Sequence, residues 1–152
     1  MKVTQDNISE VKLVYRTRVK ASDRPHVKCS KDAYDLLMGS WDQDSIEHFE
    51  EFKIMLMSRS NRVLGIATIS KGGISGTVTD VRIILQMALK ANACGIIVCH
   101  NHPSCNTDPS ESDIQITNKI RDSAKIMDLV LLDHLILTAE NKYYSFADNG
   151  LL

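Results

Sequence analysis

A run of apolar residues, 95–99, leads directly into a polar stretch that begins at His100. The apolar run has the length and composition of a buried strand. Because alternate side chains of a strand lie on the same face, His100 and His102 are predicted to share one face, while Asn101 points away. Pro103 ends the strand, and a loop of turn-forming residues follows. The strand therefore ends with two imidazoles on one side of the predicted sheet.

A helix is predicted to begin shortly after this loop. Pro109 and Ser110 form a helix start, with Ser110 as the N-cap and Asp113 at the third helical position, where the helix dipole favours an acid. The helix start can thus return a carboxylate to the histidines. Two imidazoles and one carboxylate make a three-ligand set suited to zinc, and a fourth position left to water is typical of a catalytic site. The sequence therefore predicts a metal site of His100, His102 and Asp113.

This spacing resembles the JAMM motif of the JAB/MPN metallopeptidase superfamily, and within that superfamily the chain resembles the RadC branch. The residues that carry the resemblance are 72–77, 100–104, 109–110, 113–114, 132–136 and 143–148. The resemblance extends from about residue 30 to the end of the chain. It implies a three-layer α/β domain of the cytidine-deaminase-like type, with a central mixed sheet flanked by helices. It also implies a zinc-dependent hydrolase of amide bonds, a metallopeptidase or isopeptidase acting on a peptide or protein.

The resemblance further implies two catalytic residues besides the ligands. In the JAMM pattern a glutamate ahead of a strand acts as general base and later as general acid, on a water whose pKa zinc lowers to about 7. The candidates are Glu47, Glu50 and Glu51. RadC sequences typically place this glutamate two residues before the phenylalanine that opens the strand, here Phe52, which selects Glu50 and leaves Glu51 as the alternative. Ser110 is expected to help stabilise the oxyanion of a tetrahedral intermediate.

Two further groups near the motif need an interpretation. Cys105 stands where the family usually carries glycine, a departure that bears on loop geometry and not on a ligand. A cysteine hydrolase with Cys105 as nucleophile and His100 or His102 as base is a weaker alternative, because these histidines converge as ligands would. His134, which follows Asp133, is predicted to support the ligands or to lie in the core, since catalytic zinc needs only three protein ligands.

The remaining pattern predicts an α/β domain with three layers and a mixed sheet, because helices alternate with strands that are mainly joined as hairpins. The glycine-rich residues 72–77 lack the ending of a P-loop and are predicted to form a strand-to-helix passage. The predicted elements are a strand through Val11, Leu13 and Tyr15, a short helix capped by Ser30, a hairpin of residues 52–57 and 63–69, a helix capped by Thr79 and Asp80, a strand at 95–99, a helix after Ser110, and strands at 130–138 and 142–146.

Length and composition favour one domain. The chain has 152 residues, of which 43% are hydrophobic, enough for a single core. We expect a RadC-type domain over residues 30–152, joined by an N-terminal strand and loop at 1–29, without the helix-hairpin-helix region of longer RadC proteins. No apolar run suits a membrane span or a signal peptide, and the four cysteines are expected to be free thiols, so a cytoplasmic location is predicted.

Charge bears on the choice of partner. The net charge of −1 argues against a broad basic face, and tight nucleic-acid binding is therefore not expected despite the basic run at 16–20. Two alternatives to catalysis remain open: a non-catalytic MPN-like scaffold that binds protein, and a DNA-repair-associated accessory protein. The complete set of motif residues favours catalysis over the scaffold. The sequence does not indicate the substrate or the oligomeric state.

Overall fold

The structure, a computed structural model, describes residues 9, 12, 16–72 and 78–152. The predicted strand through Val11, Leu13 and Tyr15, and residues 73–77 of the glycine-rich segment, lie outside the described residues. The described elements are a 3₁₀ turn at Ala21–Asp23, helix α1 (Ser30–Gly39), strands β1 (Glu51–Met57) and β2 (Val63–Lys71), helix α2 (Val81–Lys90), strand β3 (Gly95–Asn101), helix α3 (Glu111–Ile126), and strands β4 (Val130–Leu137) and β5 (Tyr143–Ser145).

The five described strands form one mixed sheet in the order β2-β1-β3-β4-β5. Strands β3 and β4 are parallel, and the other neighbouring pairs are antiparallel. A parallel pair needs a crossover, which here is α3. Because the crossover starts where β3 ends, the first turn of α3 lies at the carboxyl end of β3. The topology therefore brings the start of α3 to the end of the strand that carries His100.

Side chains from the two faces of the sheet form two separate cores. On one face, Phe52, Ile54 and Leu56 of β1 pack with residues of α2 and α3. On the other face, Met55 and Met57 pack with residues of α1. Because helices cover both faces of the sheet, the central strands β1 and β3 are buried along their whole length, and both consist mainly of apolar residues. The result is the predicted three-layer α/β fold with helices on both faces of a mixed sheet.

The two helices that flank the site begin where the sequence predicts. Asp80 caps α2 by accepting a hydrogen bond from the backbone N–H of Arg82. Ser110 and Asp113 form a reciprocal capping box at the start of α3, which satisfies two backbone donors of the first turn. Among the described residues, no helix combines the length and the apolar character needed to cross a membrane.

The prediction for the cap of α1 is wrong. The helix already includes Ser30, and its N-cap is Cys29, whose side chain makes no capping bond. The first turn is held instead by Asp32, which accepts a hydrogen bond of 2.8 Å from the backbone N–H of Lys28. The Ser30 hydroxyl is used for tertiary contacts, because it donates to Asp148 at 2.5 Å. A distant partner in the fold thus replaces the local capping bond of this serine.

Candidate metal centre

The fold brings together the three residues predicted to bind metal. His100 Nε2 lies 3.2 Å from Asp113 Oδ1, and His102 Nε2 lies 3.5 Å from Asp113 Oδ2. The two imidazole Nε2 atoms are 2.9 Å apart. One donor atom from each residue lies within 4.8 Å of the others, so the three could hold a single ion. The side chain of His100 is 1% exposed and that of His102 is 16% exposed, so the pair forms the floor of an accessible site.

A chain of hydrogen bonds fixes the tautomer of His100. The Thr117 hydroxyl donates to the carbonyl oxygen of Asp113 at 2.5 Å, so its oxygen accepts from Nδ1–H of His134 at 2.6 Å. His134 is fully buried, and burial holds its pKa well below the usual value, so it is neutral. Its Nε2 therefore accepts from Nδ1–H of His100 at 2.8 Å. This leaves the lone pair of His100 Nε2 directed at the site.

The same logic holds for the second imidazole. His102 Nδ1 lies 2.7 Å from the carbonyl oxygen of Asn106, and a carbonyl oxygen only accepts, so Nδ1 carries the proton. The Nε2 lone pair of His102 thus faces the Nε2 lone pair of His100 beside a carboxylate. Two lone pairs at 2.9 Å repel unless a cation lies near both of them. The donor set therefore fits a metal ion, with a proton as its competitor.

The ionisation of the three groups agrees with a site built for a cation. Burial alone would raise the pKa of Asp113, but His100 and His102, when a proton takes the place of a metal on their Nε2 atoms, donate hydrogen bonds that outweigh burial and hold that pKa far below its usual range. Burial alone would lower the pKa of His102, yet the hydrogen bonds to Asp113 and Asn106 raise it above the ordinary value. The Asp113 carboxylate is thus charged, and its charge favours a cation, a proton or a metal ion, on the neighbouring imidazole.

A β-bulge brings His134 to the ligands. Along the β3–β4 pair, Ile96 is opposite Leu131, but the next residue, Ile97, is opposite Asp133. One residue of β4, Leu132, is therefore left without a partner on β3. The extra residue reverses the alternation of the strand. As a result His134 lies opposite Val98 on the face that carries His100. The sequence predicted His134 as a support for the ligands or a core residue, but it contained no signal for this register shift.

Asp133, the neighbour of His134, belongs to the core and not to the site. It is 5% exposed. One of its oxygens accepts from the Ser145 hydroxyl at 2.6 Å, and the other accepts from the backbone N–H of Ala147 at 3.0 Å. Burial raises the pKa of this carboxyl. Asp133 thus fixes the segment that follows β5, and only the histidine of the predicted pair contacts a ligand.

The ligands lie in an open cleft of about 670 Å³. Its described lining consists of Glu50, Phe52, Val78, Thr79, His100, His102, Ser110, Ser112, Asp113 and Ile116. Glu50 directly precedes β1 and lies two residues before Phe52, so the two side chains point to the same face of the sheet. Phe52 lies opposite His100. The half-buried Glu50 is therefore on the metal face. Of the three glutamates considered from the sequence, only Glu50 is among the lining residues.

Glu51 faces the opposite side of the sheet. Its side chain is 2% exposed and lies 3.1 Å from Lys71 Nζ and 3.8 Å from Lys53 Nζ. The Ser45 hydroxyl donates to the same carboxylate at 3.2 Å. A buried carboxylate with these partners is satisfied where it stands. The structure therefore gives Glu51 a place in the core, and Glu47 is exposed at the surface.

Ser110 joins the start of α3 to Asp113. Its backbone N–H donates to Asp113 Oδ2 at 2.7 Å, and its hydroxyl donates to the same oxygen at 2.6 Å. These two bonds occupy Oδ2 and leave Oδ1 facing His100. The Ser110 hydroxyl also lies 2.8 Å from the Ser112 hydroxyl. Ser110 therefore orients the carboxylate while its own oxygen stays at the edge of the cleft.

Residues 27–151 match the family model of the RadC-like JAB domain, which is most of the chain. The chain belongs to the RadC family. In the wider JAB family such domains can be metal-dependent hydrolases. The match places the metal centre and the cleft inside the RadC-like domain, together with all three layers of the fold.

Several RadC relatives carry the same name, UPF0758 protein, which specifies no activity. The relative from Flavobacterium johnsoniae is 45% identical over 125 residues, which cover 82% of this chain and 53% of the relative. The relative from Porphyromonas gingivalis is 42% identical over 103 residues, or 68% of this chain and 45% of the relative. The relative from Clostridium beijerinckii is 34% identical over 138 residues, or 91% and 58%. This chain thus spans about half the length of the curated relatives that it matches.

The backbone at Cys105 has a conformation that favours glycine, the residue expected there from the family resemblance. Cys105 has a φ of 60°, in the left-handed region, which costs a residue with a Cβ about 1–2 kcal/mol. Every other described non-glycine residue with positive φ is an asparagine or aspartate, the types that tolerate this conformation best. The thiol makes only a long contact, 4.0 Å, to the carbonyl oxygen of Pro103. The departure from the family residue is thus a matter of loop geometry.

Cys105→Gly is expected to raise the free energy of unfolding by about 0.5–1 kcal/mol, because glycine adopts positive φ without strain but loses more entropy on folding. Chemical denaturation of the metal-free protein measures this change. Cys105→Ala is the matched control, since it removes the thiol and keeps the Cβ, and it should give no gain. An equal gain in Cys105→Ala would show that the thiol, and not the backbone angle, is unfavourable.

Proposed function

We propose that this RadC domain is a zinc-dependent hydrolase of amide bonds, a metallopeptidase or isopeptidase. The observation that carries the proposal is the convergence of His100 Nε2, His102 Nε2 and the Asp113 carboxylate at the floor of a cleft that Glu50 and Ser110 also line. Two imidazoles and one carboxylate leave an open coordination position in a tetrahedral site, the arrangement of catalytic zinc. Zinc bound there would supply Lewis-acid chemistry, activating a water and polarising the carbonyl of the substrate.

Residues of the chain would carry out the proton transfer, stabilise the oxyanion and orient the histidines. Glu50, on the wall of the cleft, would take a proton from the attacking water and return it to the leaving amine. The Ser110 hydroxyl, at the edge of the same cleft, donates its one proton to Asp113 Oδ2 and would turn from that oxygen to donate a hydrogen bond to the oxyanion of the tetrahedral intermediate. His134 keeps the proton of His100 on Nδ1, so that Nε2 stays available. Thr117 in turn holds His134 in the required tautomer.

The size and lining of the cleft are compatible with a segment of a peptide chain. Its volume is about 670 Å³, and apolar side chains such as Phe52 and Ile116 stand beside the polar groups. An extended peptide could place a carbonyl at the polar floor and a side chain against the apolar wall. We therefore propose a peptide or protein substrate. The described lining of the cleft contains no lysine or arginine for a phosphate backbone, which disfavours nucleic acid at this site.

Removal and return of metal tests this function. Protein stripped with a chelator is expected to leave a mixture of peptides and lysine isopeptides uncut, and about one equivalent of zinc should restore cleavage, read by mass spectrometry as new amino termini. Zinc should also raise the melting temperature, because a ligand that binds only the folded state stabilises it. If the protein neither binds zinc nor gains stability from it, the non-catalytic scaffold is the correct interpretation. If it binds zinc but cuts no amide, the proposed reaction is wrong.

A further inference from the structure

Asn101 lies between His100 and His102 in the sequence, and its side chain points to the opposite face of the sheet. That side chain is completely buried. Its Oδ1 accepts from the backbone N–H of Glu51 at 2.7 Å. Its Nδ2 donates to the carbonyl oxygen of Ile46 and to that of Phe49, both at 2.7 Å. Both N–H groups and the carbonyl of this amide are therefore used. All three partners belong to one segment, residues 46–51, which leads into β1.

Glu50 lies inside the span that Asn101 holds. The amide of Asn101 bonds the carbonyl of Phe49 on one side of Glu50 and the N–H of Glu51 on the other. Glu50 itself has a further backbone tie, a hydrogen bond of 2.8 Å from the N–H of Gly72 to its carbonyl oxygen. Side-chain packing adds little on the Phe49 side, where Phe49 is 48% exposed, whereas on the other side the buried carboxylate of Glu51 is held by Lys71 and Ser45. The amide of Asn101 is thus the side chain that bonds backbone groups on both sides of Glu50.

We propose that Asn101 is the positioning residue that holds Glu50 over the metal ligands. The three residues His100, Asn101 and His102 then act together, because two of them offer metal donors on one face and the third fixes the base from the other face. This inference rests on the proposed role of Glu50 as general base. A base displaced by about 1 Å loses roughly 10²-fold in rate, so the segment needs a rigid tie to the ligand strand. Asparagine suits this role because one side chain supplies an acceptor and two donors.

Two substitutions separate this role from simple core stability. Asn101→Asp keeps the acceptor for the N–H of Glu51 and removes the donors to Ile46 and Phe49. Asn101→Leu removes all three bonds. Thr138→Val is the matched control, because Thr138 is also fully buried and its hydroxyl donates to the carbonyl oxygen of Lys142 and not to residues 46–51. If Asn101→Leu fails to fold, Asn101→Asp decides the question.

The first measurements need no turnover. Zinc affinity, measured by competition with a chromophoric chelator, should stay within about threefold of wild type in Asn101→Asp, since the ligands lie on the other face. Amide hydrogen exchange of residues 46–51 should quicken at least tenfold, whereas Thr138→Val should leave it unchanged. A hundredfold loss of zinc affinity would overturn the proposal, because Asn101 would then act on the ligands. Unchanged exchange in residues 46–51 would overturn it as well.

Turnover on the peptide and isopeptide mixture gives the second test. Asn101→Asp is expected to lower turnover by roughly 10²-fold. In a Glu50→Gln background the same substitution should lower turnover little further, because the effects of two residues that act through one another are not additive. Additive losses would overturn the proposal. The two hypotheses fail differently. Full turnover in Glu50→Gln removes the proposed base itself, whereas full turnover in Asn101→Asp beside an inactive Glu50→Gln removes the positioning role alone.

Discussion

His100→Ala is expected to weaken zinc binding by on the order of 10³-fold, or about 4 kcal/mol. The substitution removes one of three donor atoms from a buried position and leaves His134 Nε2 without the N–H that it accepts. Wild-type protein at a zinc concentration of 100 times the Kd should gain about 2.7 kcal/mol of stability. The variant should gain almost none at the same zinc concentration. Competition with a chromophoric chelator gives the affinity, and thermal unfolding with and without zinc gives the stabilisation.

His48→Ala is the matched control for this experiment. His48 is exposed and is not among the residues that line the cleft, so its loss should leave zinc affinity unchanged. The zinc-dependent difference in stability is the relevant quantity, because His100→Ala also opens a cavity in the metal-free protein. A His100→Ala protein that binds zinc as tightly as wild type would show that the metal lies elsewhere, and the assignment of the centre would be wrong.

The grouping of His100, His102 and Asp113 could be predicted from sequence because the rules that place these residues are local. The alternation of a strand fixes His100 and His102 on one face within three residues. The capping box fixes Asp113 relative to Ser110 within one helical turn, and the structure contains this capping box. The crossover between the parallel strands β3 and β4 then brings the helix start to the strand end. Only this last step depends on tertiary structure, and the requirement for a crossover makes it foreseeable.

The supporting residues could not be predicted, because their positions depend on register. Leu131 and His134 would face opposite sides of a regular strand, since they are three residues apart. The bulge at Leu132 places them on one side, and residues 130–137 contain no glycine or proline that signals it. The partner of Asn101 is equally remote in sequence, because its hydrogen bonds reach Ile46, 55 residues away. Contacts between residues so far apart do not produce a periodic pattern in the sequence, so they could not be predicted from it.

The cap of α1 is an error of the opposite kind. A local rule predicts a capping bond from Ser30, but in the fold its hydroxyl bonds a distant residue instead. Serine at a helix start favours an N-cap, but Ser30 lies near Tyr143 and Asp148, more than 110 residues away in sequence. The choice between Glu50 and Glu51 belongs to the same class. Alternation required the two to face opposite ways, and the burial of Glu51 beside Lys53 and Lys71 is what leaves Glu50 at the cleft.

Glu50→Gln is expected to keep zinc and to lose turnover by roughly 10²- to 10⁴-fold, the usual contribution of a general base. Glutamine preserves the size and hydrogen-bonding shape of the side chain but cannot accept a proton at neutral pH. Glu50 is not a member of the ligand set, so zinc affinity should stay within about threefold of wild type. The loss should appear in kcat more than in KM, because proton transfer is absent from ground-state binding. Cleavage of the peptide mixture and the chelator competition measure the two quantities on the same samples.

Glu47→Gln supplies the control that decides whether the position or the charge of the glutamate matters. Glu47 lies in the same acidic segment and is exposed, so this variant changes the net charge by the same amount without altering the cleft. Its turnover and zinc affinity should both match wild type. Equal losses in Glu47→Gln and Glu50→Gln would indicate that the acidic segment acts through its general field, since a field depends on charge and not on which residue carries it. A fully active Glu50→Gln would leave the cleft without its proposed base, because Glu51 is enclosed by lysines on the opposite face of the sheet.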